Sequence, residues 1–323
     1  MPNKTNVSFI IPHKGREEML IQTVTSILNQ GDEQANYEVI VVSQNKSSIE
    51  LSKLAEQHDN VNISFQDDSL TISALRNLGA SQSTGEYLAF LDADIELSKN
   101  WLTVMLAEMA ENKQRKIIAA IQVESNHGSN IEKIRTVMNN AYADSNVDAL
   151  AGANLFIHQS DFNDVGGFPE ELATCEDIYF TSEIAKSGDL YCTSKAQHVH
   201  LGEDKNWKQL FNKEIWRGQS NLKSLLGRSI PLREWPSILV PLWVFFFSIA
   251  TCFSMLFGHL TAFFVLLSAI AIPVAMYSLR LNGMAKGKVN FSTILKFYLI
   301  YFAARAIGTL GGLFKSFSNS IIK

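Results

Sequence analysis

The chain has 323 residues and a formal net charge of −4. That length admits one large domain or two ordinary ones with a full core, and with no dominant basic cluster in its first two thirds nucleic acid is excluded as the expected partner. The three cysteines, Cys175, Cys192 and Cys252, have neither disulfide-framework density nor metal-ligand spacing, and suit a reducing compartment.

The opening "MPNKTNVSFIIPHKG" enters a strand after a short polar lead, without the apolar core of a signal peptide, so this part is expected in the cytoplasm. "NVSFIIP" reads as a buried strand. "REEMLIQTVTSILNQ" has helical spacing at Leu20, Val24, Ile27 and Leu28. "YEVIVVS" is a second strand, "SSIELSKLAEQ" a helix, "VNISF" a third strand and "TISALRNLGASQS" a helix. "EYLAFLDAD" is a fourth strand that delivers Asp92 and Asp94 to its far end.

Such alternation predicts an α/β fold, a mostly parallel sheet with crossover helices. Ligands bind beyond the carboxyl ends of such strands, where Pro12, Ser43–Gln44 and Asp92–Asp94 fall. No Gly-x-Gly-x-x-Gly follows the first strand and no Gly-Lys-Ser/Thr loop occurs, which disfavours a dinucleotide oxidoreductase or a P-loop enzyme. A nucleotide whose phosphates bridge to the protein through a hard divalent cation remains open, since such ions need only one or two protein carboxylates.

After about Arg233 the character changes. "WPSILVPLWVFFFSIATCFSMLF" (235–257) and "LTAFFVLLSAIAIPVAMYSL" (260–279) are uncharged and each long enough to cross a bilayer. Arg228 and Arg233 precede the first, Arg280, Lys286 and Lys288 follow the second, and the turn holds only His259. Positive charge at both outer ends predicts a hairpin with those ends in the cytoplasm. A third apolar segment, 292–314, carries Lys296 and Arg305; it spans, lies in the interface or packs against the hairpin.

Four stretches, in order, resemble the family 2 glycosyltransferases of the GT-A fold: "VSFIIPHKGREEML", "ALRNLGASQSTGEYLAFLDADIEL", "GGFPEELATCEDIYFTSEIAKSG" and "HVHLGEDKNWKQLFNKEIWRG". The resemblance implies a nucleotide-sugar donor, Mn²⁺ or Mg²⁺ as cofactor, and a glycan or lipid-linked acceptor. It implies that Asp94 holds the metal, that Asp92 contacts the ribose or shares the metal, and that Arg76 faces the nucleotide. Asp177 is then the general base, with its neighbour Glu176 as rival, and Gly166, Gly167 and Phe168 form the acceptor loop. His200 completes the metal shell in the family pattern, although His198 lies on the same strand face; His13, His58, His127 and His158 read as loop or surface positions.

One departure stands out. The family usually places acidic residues after the second strand, where this chain has Gln44, whose amide oxygen can accept from a uracil N–H but whose amide can also donate to another base. "IIPHKGREEML" with "VIVVSQ" is similar to the β-1,4-galactosyltransferases, which adds Pro12 and Arg16 to the donor-site candidates and favours a UDP-hexose. The resulting expectation is a catalytic domain over residues 1–228 and a membrane region over 229–323, in a multi-pass protein of the cell membrane that acts on its cytoplasmic side. The alternatives are a processive polysaccharide synthase, a catalytically inactive membrane scaffold and a metal-dependent nucleotidyltransferase.

Overall fold

The computed structural model describes the chain except residues 1–3, 32–34, 46–47, 173, 220–231, 233–234 and 322–323. Arg228 and Arg233, part of the charge pattern before the first apolar span, lie outside the described residues. The chain divides into two compact units, one of 1–125 with 142–203, the other of 126–141 with 204–323.

In the first unit the strand and helix order follows the apolar pattern closely: β1 (Thr5–His13), α1 (Glu17–Leu28), β2 (Ala35–Ser43), α2 (Ile49–Gln57), β3 (Val61–Phe65), α3 (Ile72–Gln82) and β4 (Tyr87–Leu91). Ser48 and Thr71 cap α2 and α3 by accepting from the backbone N–H groups of Leu51 and Ala74. Then come β5 (Ile95–Leu97), α4 (Trp101–Glu111), β6 (Arg115–Val123), α5 (Asn130–Asn139, part of the second unit), β7 (Ser145–Val147), β8 (Asn154–His158), α6 (Gln159–Asp164), α7 (Glu176–Ile184) and β9 (Asp189–His200).

The sheet order is β3-β2-β1-β4-β8-β6-β9-β5, with β7 on β9. Pairing is parallel from β3 to β4, as the alternation predicts, while β8 runs antiparallel to both β4 and β6. Both faces are covered: Phe9 and Ile11 pack with Leu20, Val24 and Trp101, and Ile10 packs with Phe90, Phe162 and Phe180. This explains why β1 reads as a continuous apolar run rather than an alternating one.

The second unit holds α5, α8 (Trp207–Gly218), α9 (Trp235–Leu256), α10 (Leu260–Ala285) and α11 (Phe291–Ile321). Among the described residues three helices, α9, α10 and the stretch Phe291–Phe314 of α11, are long and apolar enough to cross a membrane. α9 and α10 expose large apolar side chains, including Phe246, Phe253, Phe264 and Met276, a surface suited to lipid and not to water.

Arg305 is accommodated inside this unit. It pairs with Glu214 of α8, which also receives Arg135 of α5 and Arg217 of α8. Burial alone would raise the Glu214 carboxyl, but the three arginines overcome it and hold the group at about 2. The close approach that permits the pair comes from glycine: a Cβ at Gly308 or Gly312 would overlap the Ile215 or Gln219 carbonyl oxygen. The boundary read near residue 228 and the packing boundary therefore differ. α5 and α8 turn apolar faces, Ile131, Ile134 and Leu210, to the same cluster as Phe297 and Phe302 of α11.

Candidate active site

β4 ends at Leu91, and the turn Asp92–Ala93–Asp94 leads into β5. Asp92 Oδ1 accepts from Arg76 Nη2 at 2.9 Å, and Arg76 Nη1 donates to Glu176 Oε1 at 2.9 Å. Arg76 also donates to the Gly152 carbonyl and lies 5.0 Å from the Phe168 ring centroid. It is 1% exposed, with its guanidinium bonded to Asp92 and Glu176. Burial works against its charge, but Asp92, Glu176 and Asp177 outweigh that and raise its pKa. Burial raises Asp92, with Arg76 pulling it back; burial and the neighbouring Asp177 raise Glu176, with Arg76 again opposing.

Asp94 is buried and faces two cationic side chains. Its Oδ2 lies 3.0 Å from Arg16 Nη2 and its Oδ1 3.3 Å from His200 Nε2. His200 Nδ1 lies 3.3 Å from Glu203 Oε2, so the ring is oriented from both sides. Burial opposes protonation of His200, but the bonds to Asp94 and Glu203 push it up to about 9. His198 is different: it is 4% exposed, its Nδ1 meets Asn154 Nδ2 at 3.1 Å, and burial lowers it to about 3. Of the two histidines, His200 lies beside Asp94 and His198 beside Asn154.

Among the described residues no group of three or more His, Cys, Asp or Glu side chains is placed to hold a metal ion. Asp94 and His200 make a two-donor set instead. Asp94 Oδ1 and His200 Nε2, 3.3 Å apart, are the carboxylate and imidazole that would hold a divalent cation, the histidine giving up its proton to do so.

Asp177 lies in the first turn of α7 beside Glu176. Its Oδ2 accepts from the Gly152 N–H at 2.8 Å and its Oδ1 from the Ile178 N–H at 2.8 Å. Asp177 is half-buried where Glu176 is buried and spent on Arg76. Cys175, which precedes the pair, has φ 64, a left-handed backbone that aims the first turn of α7. Gly152 fits because a Cβ there would sit 2.8 Å from Arg76 Nη2 and 3.1 Å from Asp177 Cβ.

Gly166 and Gly167 adopt φ 78 and 83. Phe168 does not project from this loop; it is 2% exposed and stacks on Phe180 at 4.1 Å between centroids. Asn77, the neighbour of Arg76, fixes the loop by accepting from Phe168 N–H at 2.8 Å and donating to the Phe168 carbonyl at 2.9 Å.

At the other strand ends Pro12 is buried and Gln44 half-buried. His13, read as a surface position, is 2% exposed: it is the last residue of β1, opposite Ser43 in register, and its Nδ1 meets Ser43 Oγ at 2.9 Å. Gln44 Nε2 donates to the Asp67 and Leu70 carbonyls at 2.8 and 3.0 Å.

Sequence reasoning missed Asn77, Gly152, Gly202 and Glu203. Asn77 sits in the quoted "LRNLGA" and Glu203 three residues beyond His200, so spacing alone held a signal for both. The two glycines matter through atoms far off in the chain, Gly152 through Arg76 and Gly202 through Asp94, and no local pattern marks them.

Residues 8–165 match the family model described as Glycosyl transferase family 2. Glycosyltransferase AglE of Haloferax volcanii is 28% identical over 189 residues, 56% of this chain. The chain spans about three fifths, 62%, of that relative's length. A mannosyltransferase from Pyrobaculum calidifontis, solved with GDP-Man and Mn²⁺, superposes with a TM-score of 0.62 at 14% identity, over 96% of this chain and 88% of its own. GalNAc-T7, solved with UDP, GalNAc and Mn²⁺, gives 0.51 at 14% identity, over 72% of this chain and 53% of its own. Residues 8–165 thus form a glycosyl transferase family 2 domain, on a sheet of the GT-A kind.

Proposed function

We propose that the chain is a membrane-attached, inverting glycosyltransferase that moves one hexose from a UDP-hexose to a glycan or lipid-linked acceptor on the cytoplasmic face. The observation that carries this reading is the gathering of two distinct carboxylate sites after β4: Asp94 with His200, and Asp177 beside the pair of carboxylates bound by Arg76. One suits a donor diphosphate and the other an acceptor hydroxyl. The proposed division of labour is a donor-handling domain over residues 1–228 and a membrane region over 229–323.

The donor would lie across Pro12, Arg16, Gln44 and Asp92. Both carbonyls at Gln44 Nε2 demand hydrogens, which fixes the amide orientation and leaves Oε1 as the atom offered to a base. An acceptor at this place supports a base with a ring N–H, such as uracil, and disfavours one that needs a donor there. Asp94 and His200 would hold Mn²⁺ or Mg²⁺, supported by the Mn²⁺ present in the two similar structures. When bound, the ion would neutralise charge developing on the departing diphosphate. Asp177 takes the proton of the acceptor hydroxyl as that oxygen bonds to the anomeric carbon, and the nucleoside diphosphate leaves from the opposite face with the electrons of the broken bond. Glu176 holds Arg76 in place, and Gly166, Gly167 and the buried Phe168 shape the acceptor side.

Incubation of the full chain in detergent with UDP-hexoses and Mn²⁺ tests the reading. UDP release is expected, falling at least roughly thirtyfold in EDTA and returning with added Mn²⁺ or Mg²⁺. Asp94→Asn is expected to lose more than about 2 kcal/mol of transition-state stabilisation, the scale of one preorganised electrostatic contact. Undiminished activity in EDTA overturns the metal role. Donor binding without turnover, across UDP- and GDP-sugars, points to a scaffold.

The orientation is tested separately. A reporter fused after Gly283 is expected to read cytoplasmic and one inserted at Gly258–His259 external, from the lysines Lys286 and Lys288 beyond α10. The reverse pattern overturns the cytoplasmic placement of donor chemistry.

A further inference from the structure

We propose that Arg16 is a positioning residue that holds Asp94 in the metal-free protein and passes to the donor diphosphate when the cation is taken up. The inference rests on the donor reading above and concerns the order in which the site assembles. Arg16 Nη2 stands 3.0 Å from Asp94 Oδ2, on the carboxylate whose other oxygen faces His200. A guanidinium and a divalent cation on one carboxylate repel each other, so uptake of the ion weakens the arginine's hold.

The place for the guanidinium is built into the backbone. A Cβ at Gly202 would overlap Asp94 Oδ2 and crowd Arg16 Nη1, so only glycine leaves room for this pair. The turn that carries Arg16 is also held in an unusual form. Gly15 has φ 74 and Arg16 has φ 28, the latter rare for a residue with a Cβ. Asn45 fixes that turn by accepting from the Gly15 N–H at 2.6 Å and donating to Glu17 at 2.9 Å, while Ser48 donates to Glu17 at 2.6 Å.

The side chain itself is free to move. It is 59% exposed, so a swing away from Asp94 crosses no packed core. An ion pair of that exposure is worth at most about fivefold in an equilibrium constant, too little to account for a strained turn as a stabilising device. A forked guanidinium released beside a diphosphate has an obvious second partner, since its geometry matches paired phosphate oxygens.

Two affinities of the full chain test this: Mn²⁺ alone, read from the free-ion electron paramagnetic resonance signal, and UDP in saturating Mn²⁺, read by calorimetry. Arg16→Ala keeps the backbone demand of the position, because alanine also carries a Cβ. It is expected to bind Mn²⁺ alone about two- to fivefold more tightly, and UDP about tenfold more weakly, the share of one charge-assisted contact. Arg16→Lys is expected to restore the native Mn²⁺ affinity and recover part of the UDP affinity. A purely structural arginine would weaken both on removal, which overturns the proposal, as does an unchanged Mn²⁺ affinity. Equal UDP affinity in wild type and Arg16→Ala overturns the transfer to diphosphate. The metal-alone arm needs no donor, so wild type that binds Mn²⁺ but never UDP sinks the donor reading while the hold on Asp94 is still judged.

Discussion

Asp177→Asn is expected to slow sugar transfer by about a hundredfold or more while leaving UDP affinity in Mn²⁺ at the native value. Asp177 and Asp92 both lie near Arg76, yet only Asp177 is a half-buried carboxylate with no arginine bonded to it. Its oxygens accept from the Gly152 and Ile178 N–H groups, which aim it without consuming all its lone pairs. Asparagine keeps the shape and, with its one oxygen toward Gly152, gives up only the Ile178 N–H contact, so the larger loss falls on proton transfer. Glu176→Gln is expected to cost less, and to act by weakening the grip on Arg76. Initial rates against donor and acceptor, with UDP binding measured in parallel, check the contrast. Near-native transfer by Asp177→Asn puts the base elsewhere.

The sequence carried most of the first half of the sheet, because β1 to β4 alternate with helices whose apolar spacing is local. β1, β3, α2 and α3 follow from patterns a few residues long, and Ser48 and Thr71 mark the two helix starts in the chain itself. The second half was less legible for a physical reason. β8 enters between β4 and β6 with reversed direction, and β9 pairs in parallel with β6 through a register shift after Ala120. Such pairings join residues far apart, so no window of the sequence displays them.

The site divides in the same way. Asp92, Asp94, Glu176 and Asp177 stand in motifs that can be recognised in isolation, and the structure brings all four around Arg76 and His200. The role of Arg76 did not follow from its motif. The resemblance implied a face of α3 turned toward the nucleotide. Burial of that face depends on Glu176, a hundred positions along the chain, and on Phe168. The same limit applied to Arg305, costly in an apolar helix, whose partner Glu214 lies far back along the chain.

Arg76→Met is expected to destabilise the first unit by about 3–5 kcal/mol near neutral pH, the scale of removing one partner from a buried charge pair. Methionine fills a similar length and keeps an apolar contact with Phe168, so the loss is chiefly electrostatic. Asp92 and Glu176 lose the one charge that draws both carboxyls down, against the burial that raises them. Both are therefore raised further in the variant. Between the unfolded carboxyl range, about pH 4, and those raised folded values, the native state binds more protons than the unfolded chain. In that window stability falls as pH rises, because the slope follows the protons bound unfolded minus those bound folded. The deficit against wild type is thus expected to shrink as pH is lowered from about 7.5 toward 5. Urea midpoints of the full chain in detergent, taken at several pH values for both proteins, measure it. A deficit independent of pH would mean that neither carboxylate depends on Arg76 to stay charged, and the buried trio would then be a matter of packing alone.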